Sequence, residues 1–120
     1  MSRIFRIAEM YHQQDSDKTI DLVKTVAGGV LAIPVTHGYV AKTTSGAEAC
    51  TLANGKPGQI LIINLIVSGG AATITPVTLT GYVTIVLTAQ SDQVALLYVD
   101  DTIGWVILGF AGAAATPVVS

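Results

Sequence analysis

Residues 57–120, more than half of a 120-residue chain, contain no Lys, no Arg and no His. Their only charges are Asp92, Asp100 and Asp101. A segment with three acids and no base is poorly equipped for acid–base catalysis, for transition-metal ligation or for holding phosphate. What fills it instead is a series of short runs of Val, Ile, Leu and Thr cut by Gly, Pro and Asp. Such runs form half-buried strands between turns. The segment is therefore expected to build β-sheets that pack against other β-sheets.

The rest of the composition sharpens this expectation. Charged residues make up 12% of the chain, against about 25% in ordinary soluble domains. Hydrophobic residues make up 51%, and the mean hydropathy is +0.62. A chain of 120 residues is one domain, or one domain with an arm. A small domain has a high ratio of surface to volume and should need more charge than average. Either a membrane or other protein chains must cover much of its outer surface. Residues 57–91 carry no charge and are long enough to span, but Ser68-Gly69-Gly70, Pro76 and Gly81 break any apolar helix. A lone hairpin would leave its edges unpaired in lipid. Burial against other protein chains, with no membrane, is the expectation.

The net charge of −2 gives no general affinity for polyanions, and no nucleic-acid partner is expected. All six cations, Arg3, Arg6, Lys18, Lys24, Lys42 and Lys56, lie in the first 56 residues. Glu9 and the polar run 12–17 interrupt before an apolar signal core can form, so synthesis in a cytoplasm without a signal peptide is expected. A single Cys50 allows no intrachain disulfide and reads as a small buried hydrophobe.

Residues 1–18 differ from the remainder of the chain. Ile4, Ile7 and Tyr11 share one helical face, but the segment is too short for a stable isolated helix. It reads as an arm ordered on a neighbour or as an edge strand of the same domain. Arg3, Phe5, Arg6 and Tyr11 combine charge with aromatic anchors, a composition enriched at interface hot spots, and form the candidate partner interface. Two arginines make a poor nucleic-acid footprint; pairing with an acidic protein surface is more economical.

From residue 19 onward the pattern is that of one β-domain, 19–120. Strands are expected at 19–26, 30–35, 38–43, 47–52, 59–67, 71–75, 82–88, 93–99 and 103–110. Pro34 confines the second to an edge or a bend. Asn54-Gly55-Lys56-Pro57-Gly58 is the strongest turn. The 59–67 run is almost continuously apolar, as for a strand covered on both faces. Spacings near 8–12 residues describe a small antiparallel sandwich or barrel. Ile62, Val83, Ile85, Leu97, Trp105 and Ile107 are the expected core. The uncharged tail 111–120 is short and apolar, consistent with packing along a neighbouring surface or with disorder.

No catalytic or cofactor site emerges. His12 and His37 lack metal-ligand spacing and Cys50 adds no CxxC. Asp92, Asp100 and Asp101 could hold calcium, but their spacing is that of turn residues. There is no G-x-S-x-G, and the glycines at 28–29, 55–58 and 69–70 lack the Lys-Ser/Thr ending of a phosphate loop. No cofactor, no metal and no enzymatic activity are expected. Tyr82, Tyr98, Trp105 and Phe110 could form a sugar-binding face, but each sits inside an apolar strand, where core packing is the simpler reading.

Residues 56–112 carry a recurrent cadence: Gly58-Gln59 leading an apolar strand, Gly69-Gly70, Thr73-Ile74-Thr75-Pro76, Gly81 before a Thr/Val strand, and Trp105 followed four residues later by Gly109. This half of the chain resembles small β-rich virion proteins of tailed bacteriophages, notably capsid decoration (cement) proteins and head-fibre modules. The resemblance implies a β-sandwich or barrel that trimerises on the outside of a capsid, with itself and the major capsid protein as partners and the virion as its location. The alternative is a receptor- or glycan-binding module of a tail or head fibre. The first half of the chain carries none of this pattern, so the attachment residues are not carried over.

Overall fold

A computed structural model describes residues 22–112 and the backbone of 116–118. The candidate interface residues Arg3, Phe5, Arg6 and Tyr11 lie outside the described residues. The described residues form ten strands in chain order: β1 (Val23–Val26), β2 (Ala32–Ile33), β3 (Tyr39–Thr44), β4 (Glu48–Leu52), β5 (Ile60–Ser68), β6 (Ala72–Pro76), β7 (Thr84–Leu87), β8 (Gln93–Tyr98), β9 (Trp105–Ala111) and β10 (Thr116–Val118). They make two five-stranded sheets, ordered β1-β3-β5-β8-β9 and β10-β7-β6-β4-β2. The chain is all-β, and the inner faces of the two sheets share one core.

Pairing is mixed rather than antiparallel throughout. Through β6 the chain alternates between sheets, so each strand stacks parallel on the strand two before it: β1-β3, β3-β5, β2-β4 and β4-β6. After β6 the pattern changes to antiparallel pairs, β6-β7, β5-β8, β8-β9 and β7-β10. Two halves of different construction thus share each sheet. Residues 116–118 of the tail pair with β7 of the same chain, so this part of the tail is an edge strand of its own domain.

The glycine pairs make arcs between sheets, not hairpins within one. At one end of the sandwich three arcs join β1 to β2, β3 to β4 and β5 to β6, and they stack in direct backbone contact. A Cβ at Gly28 would lie 2.9 Å from Cβ of Ser45, and a Cβ at Gly70 would lie 2.4 Å from the carbonyl carbon of Gly46. Only a residue without a side chain permits that approach.

The inner faces read cleanly by alternation. Leu61, Ile63 and Leu65 of β5 and Val94, Leu96 and Tyr98 of β8 are buried. Ile85 and Trp105 are buried, and Ile107 packs against the core from its rim. Three of the expected core residues fall elsewhere. Ile62 and Leu97 point to the outer face and are half-buried. Val83 is exposed, because it precedes β7 and the left-handed Gly81 places Tyr82 inward instead. Two bulges adjust the phase, one where Ile66 is extra against β3 and one where Leu108 is extra against β8.

The stacked arcs yield a paired test. Gly70→Ala forces backbone apart and should cost about 1–3 kcal/mol, as overpacking does. Gly46→Ala, whose Cβ would meet open space, should stay within about 0.5 kcal/mol of the parent. Urea denaturation of the two variants measures both; equal losses would mean that the arcs do not hold this close contact.

Candidate functional site: a polar staple, a groove and two uncharged faces

Among the described residues, the sandwich interior carries one ion pair. Lys42 of β3 and Glu48 of β4 both take inward phases, level with Val40 and with Cys50 and Leu52. Lys42 is wholly buried, and its Nζ lies 2.7 Å from Glu48 Oε1. The ammonium also donates to the carbonyls of Ala27 (3.1 Å) and Val30 (2.6 Å). Glu48 Oε2 accepts from the backbone N–H of Gly29 (3.0 Å), the backbone N–H of Ser45 (2.8 Å) and the Ser45 hydroxyl (3.2 Å). Thr44 continues the chain of contacts: its hydroxyl donates to Gly70 O at 2.7 Å and accepts from Gly69 N–H at 3.1 Å. Each of the three arcs is thereby tied to a side chain of β3 or β4.

A buried pair survives only where its remaining donors and acceptors are satisfied. Here Lys42 has three acceptors and Glu48 four donors. The bond from Lys42, with the Ser45 and Gly29 amides, lowers the Glu48 carboxyl to about 2 against the opposing effect of burial. Nothing else about the pair is that of a reactive centre. Cys50 is buried beside it, and burial pushes its thiol up, away from the thiolate a nucleophile needs.

The described aspartates are spent in turns. Asp92 is buried and accepts from the N–H groups of Thr88 (3.1 Å) and Ala89 (2.9 Å), closing the turn in which Ser91 takes a positive φ of 76°. Asp100 Oδ1 accepts from Thr102 and Ile103 N–H at 2.9 and 2.7 Å. Asp101 accepts the Tyr98 hydroxyl. Burial, then Asp101 and Asp100, push that phenol up to about 12. Among the described residues no three His, Cys, Asp or Glu side chains gather as a metal site, and no helix is long and apolar enough to cross a membrane.

The aromatic residues divide. Trp105 and Tyr98 are wholly buried, edge to face with centroids 5.1 Å apart. The Trp105 indole N–H donates to Ala53 O at 2.9 Å, and Tyr82 donates to Trp105 O at 2.9 Å. Phe110 is 48% exposed on the rim. Above Trp105 lies an open groove of about 760 Å³, lined by Val35, Thr36 and residues 54–59. Its floor is closed by Gly55, where a Cβ would strike the indole at 2.8 Å, and by Gln59, which bridges Lys56 N–H (3.0 Å) to Val35 O (2.6 Å). A sugar entering this groove would meet Val35, Thr36, Asn54, Lys56, Pro57 and Gln59, but not the face of the wholly buried indole.

Both broad surfaces lack charge. Among the described residues only Lys24, Lys56, Asp100 and Asp101 place charged groups at even partly exposed positions, at strand edges or in turns. The outer face of the β1-β3-β5-β8-β9 sheet shows Ile60, Leu97 and Val106 in one row and Tyr39, Ile62 and Ala95 in the next. The outer face of the other sheet shows Ala32, Thr51 and Thr75 in one row and Ala49, Thr73 and Val86 in the next. No protein-family model matches the chain, and no curated protein matches it.

Two measurements bear on the staple. Lys42→Met leaves Glu48 buried without its counter-charge and should destabilise by about 3–5 kcal/mol. The Glu48 carboxyl is lowered from 4.5 to about 2. Its stabilising contribution is therefore complete above the unfolded value and lost as the pH falls through the folded one. Thermal melts from neutral pH down to about pH 2 should show that loss in the parent and a shallower one in Glu48→Gln. Identical acid slopes would dismiss the pair as the source.

Proposed function

We propose that this protein is a virion structural protein: a capsid decoration or cement protein that assembles as a homotrimer on the outer surface of a capsid and stabilises the shell. The observation that carries the reading is the absence of charge from both outer sheet faces in a small domain. The more aliphatic of the two, on the β1-β3-β5-β8-β9 sheet, is the costlier to solvate and is suited to being covered by protein. The phage-like cadence of 56–112 supports it, because its turn residues and Trp105 serve the fold itself: Gly58 is left-handed, Gly69 and Gly70 are in backbone contact with the preceding arc, and Trp105 is in the core. Many copies on a symmetric shell would add avidity to modest individual contacts. The Arg3, Phe5, Arg6 and Tyr11 segment is the proposed attachment to the major capsid protein.

The test is binding to candidate shells. Incubated with capsids lacking small outer proteins, the full chain should bind in a saturable ratio and raise the temperature at which the shells rupture. The chain without residues 1–18 should stay folded and bind more weakly. Unfolding of the truncated chain would make that segment part of the domain. Binding to no shell would remove the virion reading.

The competing reading, a glycan-binding fibre module, predicts that aromatic side chains serve a ligand. Burial of Trp105, Tyr98 and Tyr82 favours the structural reading. Trp105→Ala should cost about 3–5 kcal/mol of stability. An unchanged melting temperature with lost carbohydrate binding would reverse the order of the two readings.

A further inference from the structure

We propose that copies of this chain associate through the outer face of the β1-β3-β5-β8-β9 sheet, in its half bordered by the edge strand β9. The proposal takes from the preceding reading only that the protein self-associates; it does not depend on a capsid.

Four strands end the two sheets: β1 and β9 in one, β2 and β10 in the other. Unpaired edges invite another chain, and proteins blunt them with charge, proline or brevity. β1 carries the exposed Lys24, β2 is two residues long and followed by Pro34, and β10 contains Pro117. β9 has seven residues, no proline and no charge. Among the described residues, the outer side of β9 has one bridge, from Leu79 to Trp105 at its start. It alone of these four strands lacks charge, proline and brevity, and its one interruption is the bulge at Leu108.

The face beside it is also the more apolar of the two. Ile60 is 53% exposed and Leu108 54%, and Ile62, Leu97 and Val106 lie between them half-buried. The opposite face, of Thr and Ala with Val86, would bury less apolar area. The whole face, five strands about 4.8 Å apart and each about 20 Å long, presents roughly 500 Å² in projection, of which the β5-β8-β9 half is roughly 300 Å². This half is the centre of a contact that the rest of the face must extend to approach the ~800 Å² each partner contributes to a standard interface.

The occupant that fits is a second copy of this chain. A face whose described residues carry no charged side chain offers a charged partner nothing to pair with. When a surface meets its own symmetry mate, any charge on it meets like charge, and an uncharged face escapes that repulsion. The bulge at Leu108 decides the form of contact. It interrupts the regular ladder and pushes an exposed leucine outward, so side chains pack across the β8–β9 half instead of extending the sheet strand upon strand. Such a contact can close into a ring and does not template an open-ended ribbon.

The test is sedimentation equilibrium of the full chain across the micromolar range. Leu108→Lys and Ile60→Lys place a charge at two exposed positions of the face, and Thr75→Lys places one on the opposite face. The parent should be oligomeric, each of the first two variants should raise the dissociation constant at least about tenfold, and Thr75→Lys should leave it unchanged. Thermal melts check that all three remain folded; should one face variant unfold, the other decides. A parent that stays monomeric, face variants that associate like the parent, or equal disruption by Thr75→Lys would each overturn the proposal. A parent that self-associates through this face but binds no shell overturns the virion reading alone. A shell-binding protein whose face variants still associate overturns this inference alone.

Discussion

The fold depends on how closely three arcs of backbone can stack at one end of the sandwich. A parallel stack of strands that alternates between two sheets must turn from sheet to sheet at every step. Each turn leaves amides and carbonyls facing the turn above. The chain satisfies them with three side chains on the two strands that flank the middle arc. Lys42 takes the carbonyls of the first arc, Glu48 takes amides of the first and second, and Thr44 takes the third. The glycines at 28, 69 and 70 allow the approach, and the polar network fixes the spacing. An apolar substitute for the ion pair could fill the volume but would leave the arc amides and carbonyls unpaired, a desolvation cost at every site. The pair is therefore retained for the backbone groups it serves rather than for its own attraction, which burial largely offsets.

How far the sequence reveals this architecture depends on whether a strand has a polar phase. β4 alternates plainly, with Ala49 and Thr51 outward between Glu48, Cys50 and Leu52, and its position is legible. β5 and β8 are apolar on both faces, and a one-residue slip costs nothing in pattern. Ile62 and Leu97 are the residues such a slip misplaces. A weak signal is present: Asn64 and Gln93, the only polar side chains within 60–67 and 93–97, share the phase of Ile62 and Leu97, and they pair across the sheet. Read as markers of the outer face, they place Leu61, Ile63, Leu96 and Tyr98 inside. The inward Lys42 and Glu48 are legible in the same way, from their phase with Val40 and Cys50, but a charged residue in an apolar phase is ordinarily read as an interruption. Pairing direction is not legible at all. Periodicity reports which face a residue takes, while parallel or antiparallel pairing is decided by where each arc sends the chain, and Gly-Gly serves a hairpin and an arc equally well.

The division of the chain into two constructions gives its charge distribution a physical meaning. In the parallel half, stacked arcs create backbone groups that need charged partners, and that is where the buried Lys42 and Glu48 stand. In the antiparallel half, turns satisfy themselves locally: Asp92 and Asp100 each accept from N–H groups within four residues. Acceptors suffice there, and no base is needed. The lack of Lys, Arg and His beyond residue 56 thus has two causes, hairpin construction and outer faces that carry no charge. The first cause is complete within one chain.

The second cause is not complete within one chain. Turn chemistry accounts for where the acids sit, but it places no constraint on the outward residues of β5, β8 and β9. For an isolated domain, polar substitutions at Ile60, Leu97, Val106 or Leu108 would be free of any cost to the core, because none of these side chains enters it. The opposite sheet shows what an unconstrained outer face can be in this same chain, with Thr at 51, 73 and 75. Thr supplies β-branching, which strands favour, and a hydroxyl, which water accepts. Large aliphatic residues on one face and Thr on the other therefore separate two environments. One face is compatible with water; the other is at lower free energy when covered.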